Sequence, residues 1–138
     1  MLAQITPRGR ALESQEKAFV AARAALEKQA EGVVVMDLRS LSSITDFFVV
    51  CTADNARQLS ALQEHIERTL GARGALVWHT EGITSTQGRT SSRLTPEPQW
   101  VLLDCGEIVV HLLDRPAREL YRLEDLWADA PRLPIPPA

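Results

Sequence analysis

Apolar positions along this chain alternate between helical and strand-like spacing. Between residues 10 and 30, Leu12, Phe19, Ala22, Leu26 and Ala30 recur at steps of three or four or their sums, among good helix formers, which predicts an amphipathic helix. Gly32 is expected to stop it, ahead of a β-branched run at 33–38 that reads as a buried strand. Residues 39–45 are polar enough for a turn, and 46–51 form a second buried strand. Thr52, Asp54 or Asn55 can then cap a helix whose Leu59, Leu62, Ile66 and Leu70 make one stripe, with Gly71 and Gly74 ending it.

Residues 75–79 predict a third strand, and 80–99 carry Ser, Thr, Gly and two prolines without any period, so their latter part reads as a mobile loop. Two apolar runs, 100–104 and 107–113, flank Cys105-Gly106 and predict an antiparallel hairpin, since glycine tolerates the positive φ of a tight turn. Pro116 suits the first turn of a short helix through Leu120, and 123–127 add another turn. The fold expected is one α+β domain over 10–130, a mixed sheet of about five strands flanked by helices, with a flexible 1–9 segment and a loose proline-rich tail at 131–138.

Composition narrows the function. With 138 residues, 45% hydrophobic, the chain supports one core. A net charge of -3 and a pI near 5.6 argue against nucleic-acid binding by general electrostatics and favour a basic protein partner. Cys51 and Cys105 sit in apolar runs without Cys-x-x-Cys spacing, which predicts reduced, buried thiols. There is no apolar core of a signal peptide and no stretch of membrane-spanning length, so a cytoplasmic protein is expected.

The search for chemistry yields little. His65 falls beside the apolar stripe of its helix and reads as a surface residue; His79 and His111 stand singly, without metal-site spacing, and His111 suits a partner surface. Asp37, Asp46 and Asp104 lie near strand ends, where a nucleotidyl transferase would hold Mg²⁺, but such an enzyme also needs a Gly-Ser phosphate loop and an Asp-x-Asp, and neither is present. Turn and cap chemistry explains the three acids; no catalytic residue, metal or cofactor is expected. Trp100 stands apart. Strand alternation puts Trp100, Leu102 and Asp104 on one face, and a carboxylate there is costly to bury, so Trp100 is expected as an exposed anchor; the competing reading places it in the core. Tyr121, Leu123, Glu124 and Trp127 concentrate aromatic and acidic character near the C-terminus, suited either to an interface or to sealing the core.

Four blocks, LRSLSSITDFFVVCT at 38–52, DNARQ at 54–58, WVLLDCGEIVVH at 100–111 and RELYRLEDLW at 118–127, together resemble the ribosomal silencing factors, also called Iojap-like proteins, in the order that family has them. The last block ends in the family's Tyr-x-Leu-Glu-x-Leu-Trp signature. The resemblance implies a fold related to nucleotidyl transferases without their catalytic residues. It implies binding to the large ribosomal subunit through ribosomal protein L-fourteen, blocked association with the small subunit, and lowered translation when nutrients are short; organelle relatives imply large-subunit assembly as an alternative, and homodimers also occur. On this reading Trp100, Leu102, Asp104, His111, Tyr121 and Glu124 form the partner interface. Ser42, Ser43, Asp46, Asp54 and Arg57, with Leu123 and Trp127, form the structural motif, scaffold that breaks no bond. Two departures stand out: residues 83–99 form an insertion, and Cys105 replaces an aromatic or aliphatic residue.

Overall fold

The first predicted helix is α1, Ser14–Glu27, in a computed structural model that describes residues 12–84 and 99–137, but its buried side is not the predicted stripe: Leu26 is exposed and Phe19 half-buried. The expected loop between those two stretches and the 1–9 segment lie outside the described residues. The buried side of α1 is mostly alanine: Ala18, Ala21, Ala22 and Ala25 are inaccessible, so small side chains let the helix lie close on its neighbours. The helix ends before Gly32. Gln29 takes the left-handed turn at φ 65°, while Gly32, at φ 56°, sits inside β1, Glu31–Asp37, where the register slips between Glu31 and Val34.

β2, Phe47–Ala53, runs antiparallel to β1, and α2, Ala56–Ala72, buries the predicted stripe Leu59, Leu62, Ile66 and Leu70. Asn55 caps α2 by accepting from the Gln58 amide at 2.8 Å. The Gln58 carboxamide accepts from the Asp54 N–H at 2.6 Å and donates to the Lys28 and Gln29 carbonyls, tying the start of α2 to the end of α1.

The third strand differs from the prediction. β3 is His79–Thr84, paired with β4, Gln99–Asp104, and the apolar run before it is not a strand: Ala75 enters the core while Leu76 and Trp78 are exposed. β3 is a sheet edge, where a polar sequence is tolerated because only one side of the strand pairs. β4 turns through Cys105-Gly106 into β5, Ile108–Asp114, as expected; Gly106 has φ 83° and its amide donates to the Asp104 carboxylate at 2.8 Å. β5 pairs parallel with β2.

After β5 come α3, Arg115–Tyr121, and α4, Leu123–Leu126. The tail is held rather than loose: β6, Arg132–Leu133, pairs with Val35 and Met36 of β1, and Arg23 donates to the Pro136 carbonyl. Among the described residues the sheet thus has six strands in the order β3-β4-β5-β2-β1-β6, one more than predicted, with α1 and α2 on one face.

Arg118 docks α3 and α4 to the sheet. Its guanidinium donates to both Glu124 carboxylate oxygens, to the Thr52 hydroxyl and to the Gly32 carbonyl, and its side chain is only 16% exposed. Gly32 is glycine for two reasons here: its φ is positive, and a Cβ would stand 3.2 Å from Arg118 Nη1. Hydrogen bonds from Arg118 hold the Glu124 carboxyl below its usual range, against the opposing effect of burial. A lowered folded value means that the unfolded chain takes up the proton first. The pair therefore stabilises the fold above the ordinary carboxylate value, and that contribution is lost as pH falls through the folded one.

Glu124→Gln should cost about 1 to 3 kcal/mol at neutral pH, as for a hydrogen bond to a charged group, and should flatten the acid limb of stability. The Asp37–Arg39 pair, which also lowers its carboxyl, keeps part of that limb in the variant. Urea midpoints across the carboxylate range test this; a variant whose midpoint falls in parallel with the wild type refutes it. Two glycines should respond in opposite directions. Gly106→Ala forces a side chain into the left-handed region and brings Cβ within 2.8 Å of the Trp78 ring, for a loss of about 1 to 3 kcal/mol. Gly71, helical and open to solvent, should gain about 0.4 to 1 kcal/mol on Gly71→Ala. The same urea measurement decides both, and equal signs would contradict the assignment.

Candidate protein-binding face

The two long helices leave the other face of the sheet to short elements. Strand alternation sends Phe48 of β2, Trp100, Leu102 and Asp104 of β4, and Val109 and His111 of β5 to that face. α3, α4 and Ala130 cover only part of it, around Met36, Leu38, Val50 and Leu113. A row of rings crosses what remains. Tyr121 lies 4.8 Å from Trp100, Trp100 lies 5.7 Å from His111, and His111 meets Phe48 nearly edge-on at 4.4 Å; Phe48 in turn meets Trp127 at 5.8 Å. Such tilted and perpendicular contacts suit ring quadrupoles. Trp100 and Trp127 are half-buried, Tyr121 is exposed, and Leu102 and Val109 are half-buried beside them.

His111 corrects an expectation. The expectation is a partner-surface residue, yet His111 is only 3% exposed, because the rings of Phe48 and Trp100 pack over it. Trp100 Nε1–H donates to His111 Nδ1 at 3.1 Å, so the neutral ring carries its proton on Nε2, which has no hydrogen-bond partner among the described residues. Burial pushes the His111 pKa down to about 3, which keeps the ring neutral at physiological pH.

The other expected interface residues divide. Trp100, Leu102 and Tyr121 share the open face. Asp104 is on it too, but its carboxylate holds the hairpin turn at Gly106. Glu124 is taken up by Arg118, with a side chain 21% exposed, so it frames the face as an internal ion pair and is not a free contact. Of the motif residues, Leu123 is buried and Trp127 lies against Phe48, which favours the core-sealing reading for both. Ser42 accepts from the Ile44 amide at 3.1 Å, the predicted turn chemistry. Ser43 is exposed, and Asp46 contributes through its backbone, donating to the Glu107 carbonyl and accepting from the Leu38 amide. Asp54 pairs with Arg115, which also reaches Glu31 at 2.6 Å, and Arg57 is exposed.

Sequence reasoning missed Phe48, Val109 and Thr45. Alternation from Phe47 would have found the first. Thr45 is the residue that pins the turn, donating its hydroxyl to the Glu107 carbonyl at 2.8 Å, and the sequence carries no signal for that long-range bond. Beyond the ring row, Leu41 shares a shallow depression with Leu126 and Trp127, and Ile44 is exposed in the same turn. The rim carries acids: Glu81, 3.8 Å from His79, faces the same way as Asp104 through the β3 register, and Asp125, which pairs with Arg122 at 2.7 Å, and Asp129 border the depression.

The three acids near strand ends do not converge. Asp37 binds Arg39 at 2.7 Å, Asp104 holds its own turn and Asp46 lies in another; among the described residues no three His, Cys, Asp or Glu side chains are grouped to hold a metal. His65, read as a surface residue, is partly buried against Glu27 at 2.7 Å. Both thiols are buried as predicted, and burial raises Cys51 to about 12 and Cys105 to about 11, which suppresses thiolate chemistry. No helix among the described residues is long and apolar enough to cross a membrane.

Comparison with known proteins agrees with this architecture. Residues 11–138 match the family model described as "Ribosomal silencing factor during starvation". A ribosomal silencing factor of Halalkalibacterium halodurans is 30% identical over 90% of this chain and 96% of its own length; one from Bacillus subtilis is 32% identical over 81% and 85%. A crystal structure of a Chromobacterium violaceum protein superposes with a TM-score of 0.70 at 28% identity, covering 85% of this chain and 88% of the other. The chain belongs to the ribosomal silencing factor family.

Proposed function

We propose that this protein binds the large ribosomal subunit in the cytoplasm through ribosomal protein L-fourteen, blocks association with the small subunit and so represses translation under nutrient limitation. The observation that carries the reading is the half-exposed ring row, Trp100 with Tyr121 and Leu102 beside it, on a sheet face that the long helices leave uncovered. Aromatic anchors inside a polar rim are the common composition of a protein-binding hot spot. The rim carries the acids Glu81, Asp125 and Asp129 and the whole chain has a net charge of -3, which favours encounter and orientation with a basic protein. The action is steric: occupying the joining surface of the large subunit requires no cofactor and no bond-making step.

The chain should co-sediment with free large subunits and lower the yield of joined ribosomes; equal co-sedimentation with small subunits alone would sink the proposal. Accumulation of large-subunit precursors on deletion in growing cells would instead assign the same surface to assembly, and thermal stabilisation by Mg-ATP would revive a nucleotide-handling enzyme. Trp100→Ala should weaken large-subunit binding by about 2 kcal/mol or more, the hot-spot scale. Because the ring is half-buried, stability should fall by less than the roughly 3 to 5 kcal/mol typical of a fully buried tryptophan. Unaltered affinity, or binding lost only together with the folded state, would count against the anchor role.

A further inference from the structure

We infer that His111 is a positioning residue: by accepting the Trp100 indole hydrogen through Nδ1, it holds the Trp100 ring in one orientation on the open sheet face before any partner arrives. The inference rests on the reading of Trp100 as a binding anchor. Its starting point is a polar group that packing alone does not explain. His111 shares its face of β5 with Val109 and Leu113, is 3% exposed, and leaves Nε2 without a hydrogen-bond partner among the described residues. A buried, unmet N–H is destabilising and rare enough to require a reason, and an apolar residue would fill the space without that penalty.

The geometry supplies the reason. Phe48 meets the imidazole nearly perpendicularly at 4.4 Å and limits its rotation, so Nδ1 is presented steadily toward β4. Trp100 Nε1 donates to that nitrogen at 3.1 Å, while Tyr121 lies against the Trp100 ring at 4.8 Å. One directed hydrogen bond and a flanking ring thus restrict a large side chain that would otherwise sample several rotamers on an open surface. Ordering such a side chain in advance removes an entropic cost from binding. The expected gain corresponds to roughly fivefold to tenfold in affinity.

Two substitutions separate positioning from space filling. His111→Phe keeps a ring and removes both the acceptor and the unmet N–H; His111→Asn keeps a polar atom near the Nδ1 position but leaves a cavity. In the full-length protein, the Trp100 indole N–H signal, assigned through Trp100→Phe, should exchange slowly in the wild type, and the imidazole nitrogen shifts should report the Nε2–H tautomer. His111→Phe should give a fast-exchanging indole, roughly fivefold to tenfold weaker binding to purified large subunits and an equal or higher urea midpoint. His111→Asn should lower the midpoint yet keep a protected indole and an affinity within about twofold of wild type. Affinity that follows the midpoint across the two variants, or a protected indole or wild-type affinity in His111→Phe, overturns the inference. A fast-exchanging indole or an Nδ1–H tautomer in the wild type overturns it as well and requires no variant to fold. Failure of the wild type to bind large subunits defeats the functional reading instead, and the indole and imidazole signals of the free protein still decide whether His111 fixes Trp100.

Discussion

The guanidinium of Arg118 reaches three separate stretches of chain: the Gly32 carbonyl at the start of β1, the Thr52 hydroxyl near the end of β2, and the Glu124 carboxylate in α4. Short helices of seven and four residues have little stability of their own, because nucleation is unfavourable and they gain few internal bonds. What fixes α3 and α4 is therefore their docking, through Leu123 and Ala117 in the core and through this ion pair at its margin. Tyr121 precedes the left-handed Arg122 that joins the two helices, and Trp127 follows α4. The positions of two of the five rings on the open face thus depend on a contact made elsewhere. Gly32 is part of the same constraint, since its missing side chain is what lets the guanidinium approach β1.

A second dependence runs through the hairpin tip. The Glu107 carbonyl receives the Asp46 amide, the Phe47 amide and the Thr45 hydroxyl, so the 38–46 turn is fastened to the β4–β5 hairpin across a long stretch of sequence. This sets the register with which β2 enters its parallel pairing with β5, and a one-residue slip of β2 would send Phe48 to the helix-covered face, away from His111. The turn is scaffold in a specific sense: it determines which rings reach the open face and performs no chemistry itself.

Elements with a full period were legible. The α2 stripe appeared residue by residue, and Cys105-Gly106 marked the hairpin because the turn needs a positive φ. β3 was displaced because the apolar 75–78 run looked more like a strand than His79–Thr84 does, and edge strands need not be apolar. β6 is two residues long and has no period to read. The site residues failed differently. Alternation put Trp100, Leu102 and Asp104 together correctly, but whether His111 on the same face is covered depends on Phe48 and Trp100 packing on it from the two neighbouring strands, and whether Glu124 is free depends on Arg118. Both are tertiary facts that local spacing does not encode.

The polar groups on and around the open face show how it stays available. Asp104 serves its own turn, Glu124 is neutralised, and His111 is kept neutral by burial, so the centre of the face presents rings and aliphatic groups without an unpaired charge to desolvate. Glu81, Asp125 and Asp129 stay exposed at the edge, Asp125 paired with Arg122 and Glu81 near His79, where solvent screens them and where they affect approach more than final affinity. An apolar centre with charge at the margin is the composition common to protein-binding surfaces, whereas a catalytic site needs charge concentrated where bonds change. On this sheet, the acids that strand order brings near such a position are each committed to a turn or to an arginine.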